Sequence, residues 1–166
     1  MDLFRQLALQ LKHKYKKFSL VAKEDSKLMR FFGWISHPFS PYFMTDYATT
    51  IGYTVYMPRD WIGTSNGYAV LRHEAVHVKD YHKFKWLMSI SSVLLLPTIL
   101  TMRAFWEYRA YVESMRAEFD LTGTIDPTTV SYIAEEFTGI SYGWMFPFKK
   151  TITKLLNKKR IEILND

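Results

Sequence analysis

Five consecutive residues, His73-Glu74-Ala75-Val76-His77, constrain this chain more than any other stretch of it. On an α-helix, positions four apart lie one turn apart on one face, so the spacing predicts two imidazoles side by side. Both rings can reach one tetrahedral Zn²⁺, and the Glu directly after the first His can act as general base toward a water at that ion. With the chain's own content of His and Glu, a chance HExxH is expected in under about one such sequence in a hundred. The chain has no Cys, so a third protein donor must be another His or a carboxylate, and no disulfide framework exists.

The residues around the motif predict a helix. Thr64 or Ser65 offers an N-cap, and Val70, Leu71, His73, His77, Asp80 and Tyr81 continue the pattern toward about Met88. Asp80 falls on the His side of that helix, a turn beyond the pair, where it can either orient His77 or form a local salt bridge. Before the helix, Tyr42 to Met57 is rich in β-branched and aromatic residues and ends at Pro58. This reads as one bent strand or as a small hairpin turning near Gly52.

The stretch from Trp86 to Met102 contains no charged residue. Alone it is at the lower limit of a membrane span. A third ligand borne on a following helix requires a different arrangement, because about thirty residues of straight helix would place His77 and Glu107 about 45 Å apart. The expectation is a helical hairpin, with a second helix from Thr98 to about Phe119 and an apolar tip that touches a membrane or a partner. Of the two carboxylates on that second helix, Glu107 and Glu113 face nearly opposite ways. Small Ala104 and Ala110 beside Glu107 favour it as the third donor. The bland reading makes both of them surface partners of Arg103, Arg109 and Arg116.

At the ends, residues 1–27 are read as a basic amphipathic helix with Leu3, Phe4, Leu7, Leu11, Tyr15 and Phe18 in its stripe, and residues 149–166 as a second with Ile152, Leu155, Leu156 and Ile163 inward. These ends carry most of the net charge of +6, which gives a mild affinity for anionic surfaces and no specific nucleic-acid reading. The aromatic, Gly- and Pro-bearing run from Phe31 to Tyr42 is expected to be an irregular segment pinned by packing. Asp126-Pro127 starts a helix reaching about Phe137, and in the aromatic run after Gly139 the Tyr142 hydroxyl is a candidate donor to a substrate oxyanion, with Arg103 as a weaker one. The first residues lack the pattern of a signal peptide, so cytoplasmic synthesis is the expectation.

The HExxH run followed by Glu107-Tyr108-Arg109-Ala110-Tyr111 resembles the gluzincin clan of zinc metallopeptidases, whose third ligand is a Glu on the helix after the motif helix. The runs at 101–111 and 144–148 are similar to those of uncharacterised metallopeptidase-like proteins of bacteriophage and bacteria, which makes a host-cell cytoplasm the expected setting if the chain is phage-encoded. The resemblance covers about residues 42–148. It implies His73, His77 and Glu107 as zinc ligands, Glu74 as catalytic acid/base, and a peptide or protein substrate bound along a strand edge within Ala48 to Met57. Where many members of the clan carry an Asp one turn after the ligand Glu, this chain has Tyr111. The expected fold is a single α+β, zincin-like domain, mainly helical, with a small antiparallel sheet or hairpin before the HExxH helix. The rival expectation is a non-catalytic membrane-associated or protein-interaction protein with a structural metal site, binding through Trp86 to Met102 and the basic ends.

Overall fold

The structure is a computed structural model describing residues 2–38, 40–85, 103–139 and 145–166. It is α+β, mainly helical, with one three-stranded mixed sheet. The chain forms two compact units, Met1–His82 and Lys83–Asp166, and the division falls in the last turn of the HExxH helix.

In the first unit, helix α1 (Leu3–Lys14) starts where the Asp2 carboxylate accepts a hydrogen bond from the Phe4 amide, and it buries Phe4 and Leu11. It is shorter than the sequence suggests. The chain leaves the helix at Tyr15, and Ser19–Ala22 become strand β1. The periodicity that runs on to Phe18 reflects burial of Tyr15 and Phe18 in the connecting turn and not further helix. Strand β1 pairs in parallel with β3 (Thr54–Met57), and β3 pairs antiparallel with β2 (Thr49–Ile51), in the order β1-β3-β2. The turn between β2 and β3 contains Gly52 at φ +65°, a left-handed conformation that a glycine adopts without steric cost. Of the two strand readings the hairpin is therefore the one observed. Residues Val55 and Met57 point into the core with no exposed surface, while Ile51 on the edge strand is exposed.

Between β1 and β2 lies helix α2 (Lys27–Ser36), which takes up residues 31–36 of the stretch expected to be irregular, while the described residues from His37 to Tyr42 are turn and coil. The Ser26 hydroxyl caps it by accepting from the Met29 amide at 3.2 Å. Met29 is fully buried, but Phe31, Phe32, Trp34 and Ile35 are exposed, so packing does not pin this aromatic run.

The sheet is fixed against helix α3 (Ser65–Phe84) by aromatic contacts. The Tyr53 ring meets Tyr81 edge-on at 5.2 Å, Tyr15 lies 5.2 Å from His82, and the Tyr53 hydroxyl is 2.9 Å from His82 Nδ1. Helix α3 begins as anticipated: the Thr64 hydroxyl accepts from the Gly67 amide at 3.0 Å. It ends at Phe84, a turn earlier than expected.

The second unit contains α4 (Arg103–Thr122), α5 (Pro127–Thr138) and α6 (Lys149–Asn165). Asp126 caps α5 by accepting from the Thr128 amide at 2.7 Å, with Pro127 at its first position. These hydrogen bonds from Thr128 hold the Asp126 carboxyl below its ordinary value. The core of this unit is built from Val112 and Met115 of α4, Val130, Ile133 and Phe137 of α5, and Ile152, Leu156 and Ile163 of α6. Leu155, expected inward, is exposed. Residues 86–102, with the expected hairpin tip and the start of the second helix, lie outside the described residues. Among the described residues, no helix is long and apolar enough to cross a membrane.

Candidate metal centre

Helix α3 places its HExxH face by burying the opposite one. Leu71 and Val78 are fully buried, and Tyr68 nearly so. Two rings four residues apart are thereby held side by side: His73 and His77 lie 5.1 Å apart between centroids at 72°, and their Nε2 atoms are 3.3 Å apart. Two ligand nitrogens at about 2.05 Å from one tetrahedral ion are separated by about 3.3 Å, so the pair has the spacing a single Zn²⁺ requires. The same separation also admits an N–H···N hydrogen bond between the two rings. His77 is buried and His73 half-buried.

Glu74 is buried at 7% exposure. Its Oε2 accepts a hydrogen bond from the Thr50 hydroxyl at 2.5 Å. Thr50 stands on β2 opposite Val55 of β3, and the hairpin is set on α3 through Tyr53 and Tyr81, so the sheet presents this hydroxyl to the helix. The pairing joins residues distant in sequence, and no local motif signals it. One hydrogen bond to Oε2 leaves Oε1 to accept a proton or another donor.

Lys23 is a second residue the sequence does not reveal. It follows β1 and has no exposed surface. Its ammonium donates to the Phe43 carbonyl at 2.6 Å and lies 3.7 Å from the centre of the Phe43 ring. Burial lowers its pKa from 10.5 to about 8, against the opposing pull of Glu74 and Glu24. A buried lysine held this way contributes positive potential toward Glu74.

Asp80 is almost fully buried on α3. Glu107 is half-buried on α4. Glu113, its rival, forms an ion pair with Arg116 at 2.5 Å. Tyr111, at the place of the clan's Asp, is buried in the core of the second unit, its ring 5.7 Å from that of Phe137. Arg103 opens α4 as described and is half-buried. Tyr142, the candidate oxyanion donor, lies outside the described residues.

Of the expected ligands, His73 and His77 stand together on α3 in the first unit, and Glu107 stands on α4 in the second. Comparison with protein-family models, with curated proteins and with solved structures finds no match to this chain.

Proposed function

We propose that this chain is a zinc-dependent metallopeptidase of zincin type, with His73, His77 and Glu107 as ligands and Glu74 as general base. The observation that carries the reading is the 3.3 Å separation of the two imidazole Nε2 atoms, next to a buried carboxylate already held by a hydrogen bond. Glu107 is the third ligand of this reading because it follows HExxH on the next described helix, α4, with the small residues Ala104 and Ala110 beside it, in the order that the resemblance implies. Two imidazoles and one carboxylate form a donor set suited to zinc, and three protein ligands leave a position open.

When bound, the ion supplies Lewis-acid activation of a water and of the substrate carbonyl. The chain's own groups do the rest. Glu74 Oε1 takes the proton from the attacking water and returns it to the leaving amine, while Thr50 fixes the carboxylate through Oε2. Burial of Glu74 excludes competing water from that oxygen and keeps its position defined.

The substrate rim in this reading is β2. Strand β3 is paired on both sides, so the part of the expected rim within Thr54–Met57 cannot add a strand, whereas β2 is at the edge of the sheet. An extended peptide adding to β2 would lie beside Thr50, and therefore beside Glu74. Action in the cytoplasm on a peptide or protein belongs to the same proposal.

The test is hydrolysis of an unfolded protein or a mixed peptide library by the zinc-loaded chain. Cleavage that disappears in Glu74→Gln, with bound zinc unchanged, is the expected result. A Glu74→Gln variant as active as the parent excludes the assignment.

A further inference from the structure

Helix α2 carries an apolar face that the peptidase reading does not use. At 100° per residue, Met29, Gly33 and Ser36 fall on one side of the helix. This is the packed side: Met29 has no exposed surface, and a Cβ on Gly33 would stand 2.8 Å from Met44 Cγ. The outward arc holds Leu28, Phe31, Phe32, Trp34 and Ile35, which are 43%, 53%, 39%, 74% and 52% exposed. Half of a ten-residue helix is thus large apolar surface turned to solvent. Phe31 lies 6.2 Å from Phe32 and 6.3 Å from Trp34, which makes the aromatic part continuous. A contiguous patch of this kind marks an interaction surface.

The charges of α2 indicate what covers it. The helix contains no carboxylate, and its two charged residues, Lys27 and Arg30, are both cationic and exposed. By helical geometry Arg30 lies at the border between the packed side and the aromatic arc, where a long side chain can extend to a charged surface while its stem stays on apolar ground. Aromatics on an exposed helix face with cations beside them match a surface that is anionic outside and apolar just beneath. A protein groove built for this helix face would have to provide acidic residues at two places around an otherwise apolar floor. A bilayer with anionic headgroups provides both without any specific shape.

We propose that α2 is a bilayer-surface helix, lying in the plane of an anionic membrane with Phe31, Trp34 and Ile35 seated among the headgroups and Lys27 and Arg30 paired with lipid phosphates or carboxylates. The helix is about 15 Å long, too short to span, so it anchors reversibly. This inference is independent of the metal site and stands whether or not the chain hydrolyses peptides. It also differs from membrane contact through Trp86 to Met102, because it rests on α2 alone.

The experiment is sedimentation of the full chain with vesicles of phosphatidylcholine containing 30% phosphatidylserine, and with vesicles of phosphatidylcholine alone. The expected result is binding to the anionic vesicles that weakens as salt is raised. Phe31→Ser/Trp34→Ser should lower the partition coefficient at least tenfold, and Lys27→Glu/Arg30→Glu should lower it on anionic vesicles only. Quenching of tryptophan fluorescence by brominated lipid, lost in large part in the conservative Trp34→Phe, gives a second reading that does not depend on the serine variant folding. The proposal is overturned by a parent chain that stays in the supernatant with both vesicle types. Partition and quenching that are unchanged in the α2 variants overturn it too, as does concentration-dependent self-association abolished by Phe31→Ser/Trp34→Ser in the absence of vesicle binding.

Discussion

The Thr50 hydroxyl donates a 2.5 Å hydrogen bond to Glu74 Oε2, joining the edge strand of the sheet to the acidic residue of the HExxH helix. A bond from hydroxyl to carboxylate within a largely buried site is of the stronger kind, with a net value of about 1.5–3 kcal/mol.

Removing that hydroxyl tests whether it positions Glu74. Thr50→Val should lower kcat about tenfold or more on a peptide substrate while leaving bound zinc unchanged, since about 1.4 kcal/mol corresponds to a factor of ten. Thr50→Ser, which keeps the hydroxyl, should recover most of the loss. Steady-state kinetics with metal analysis of each variant separates this from general damage: a Val variant as active as the parent, with the loss confined to Ser, would show that the methyl packing matters and the hydrogen bond does not.

The start of α3 depends on one close approach. A Cβ on Gly67 would stand 1.8 Å from the Trp61 carbonyl oxygen and 2.8 Å from its carbon, both backbone atoms that cannot swing aside. Gly67→Ala should therefore cost about 3 kcal/mol in urea unfolding, far beyond the small gain in helix propensity from alanine. A stability within 0.5 kcal/mol of the parent, about the usual spread of a neutral substitution, would show that this junction gives way.

Lys23 gives a pH dependence with a definite sign. In the unfolded chain its ammonium holds its proton to about 10.5, whereas burial lowers the folded value to about 8. Between these values the unfolded state binds more protons, so stability rises with pH, by about 3 kcal/mol over the full window. Below pH 8 the cost of the buried charge is present in full. Lys23→Met should remove the rise, so the difference in unfolding free energy between parent and variant should change through pH 8–10.5 and be flat below it. A difference constant through that window would mean that Lys23 keeps its ordinary value. Tyr15, raised by burial, is common to both proteins and cancels.

What could be read from the sequence was local. The HExxH pattern, the Thr64 cap, the turn at Gly52 and the Asp126-Pro127 helix start are each specified within a few residues, and each is present. What escaped was specified across the chain. Ser19–Ala22 is too short to announce itself as a strand and is defined by pairing with Thr54–Met57. Thr50 could be placed on a strand face but not against Glu74, because that contact depends on how Tyr53 and Tyr81 set the hairpin on α3. Helix α2 was hidden by composition: Gly33, Pro38 and the aromatics suggest an irregular loop, while Ser26 caps a regular helix whose apolar residues face outward.

The choice between the two carboxylates of α4 is open to a direct comparison. Glu113 is paired with Arg116 by an i,i+3 contact of modest worth, so Glu113→Ala should leave zinc affinity within about twofold and cost at most about 0.5 kcal/mol of stability. Glu107→Ala should weaken zinc binding by a hundredfold or more, an effect on the order of 3 kcal/mol. Competition titration against a chromophoric chelator measures both, and the reverse ranking would transfer the ligand role to Glu113.

In the proposed metal centre, His73, His77 and Glu107 hold one zinc ion. The most direct test of this assignment is zinc per chain by elemental mass spectrometry after the full-length protein is dialysed against dilute zinc and then against metal-free buffer. A value near one is expected for the parent, and near zero for His77→Ala and Glu107→Ala with folding retained. A parent that keeps no zinc, or a Glu107→Ala variant that keeps all of it, contradicts the assignment.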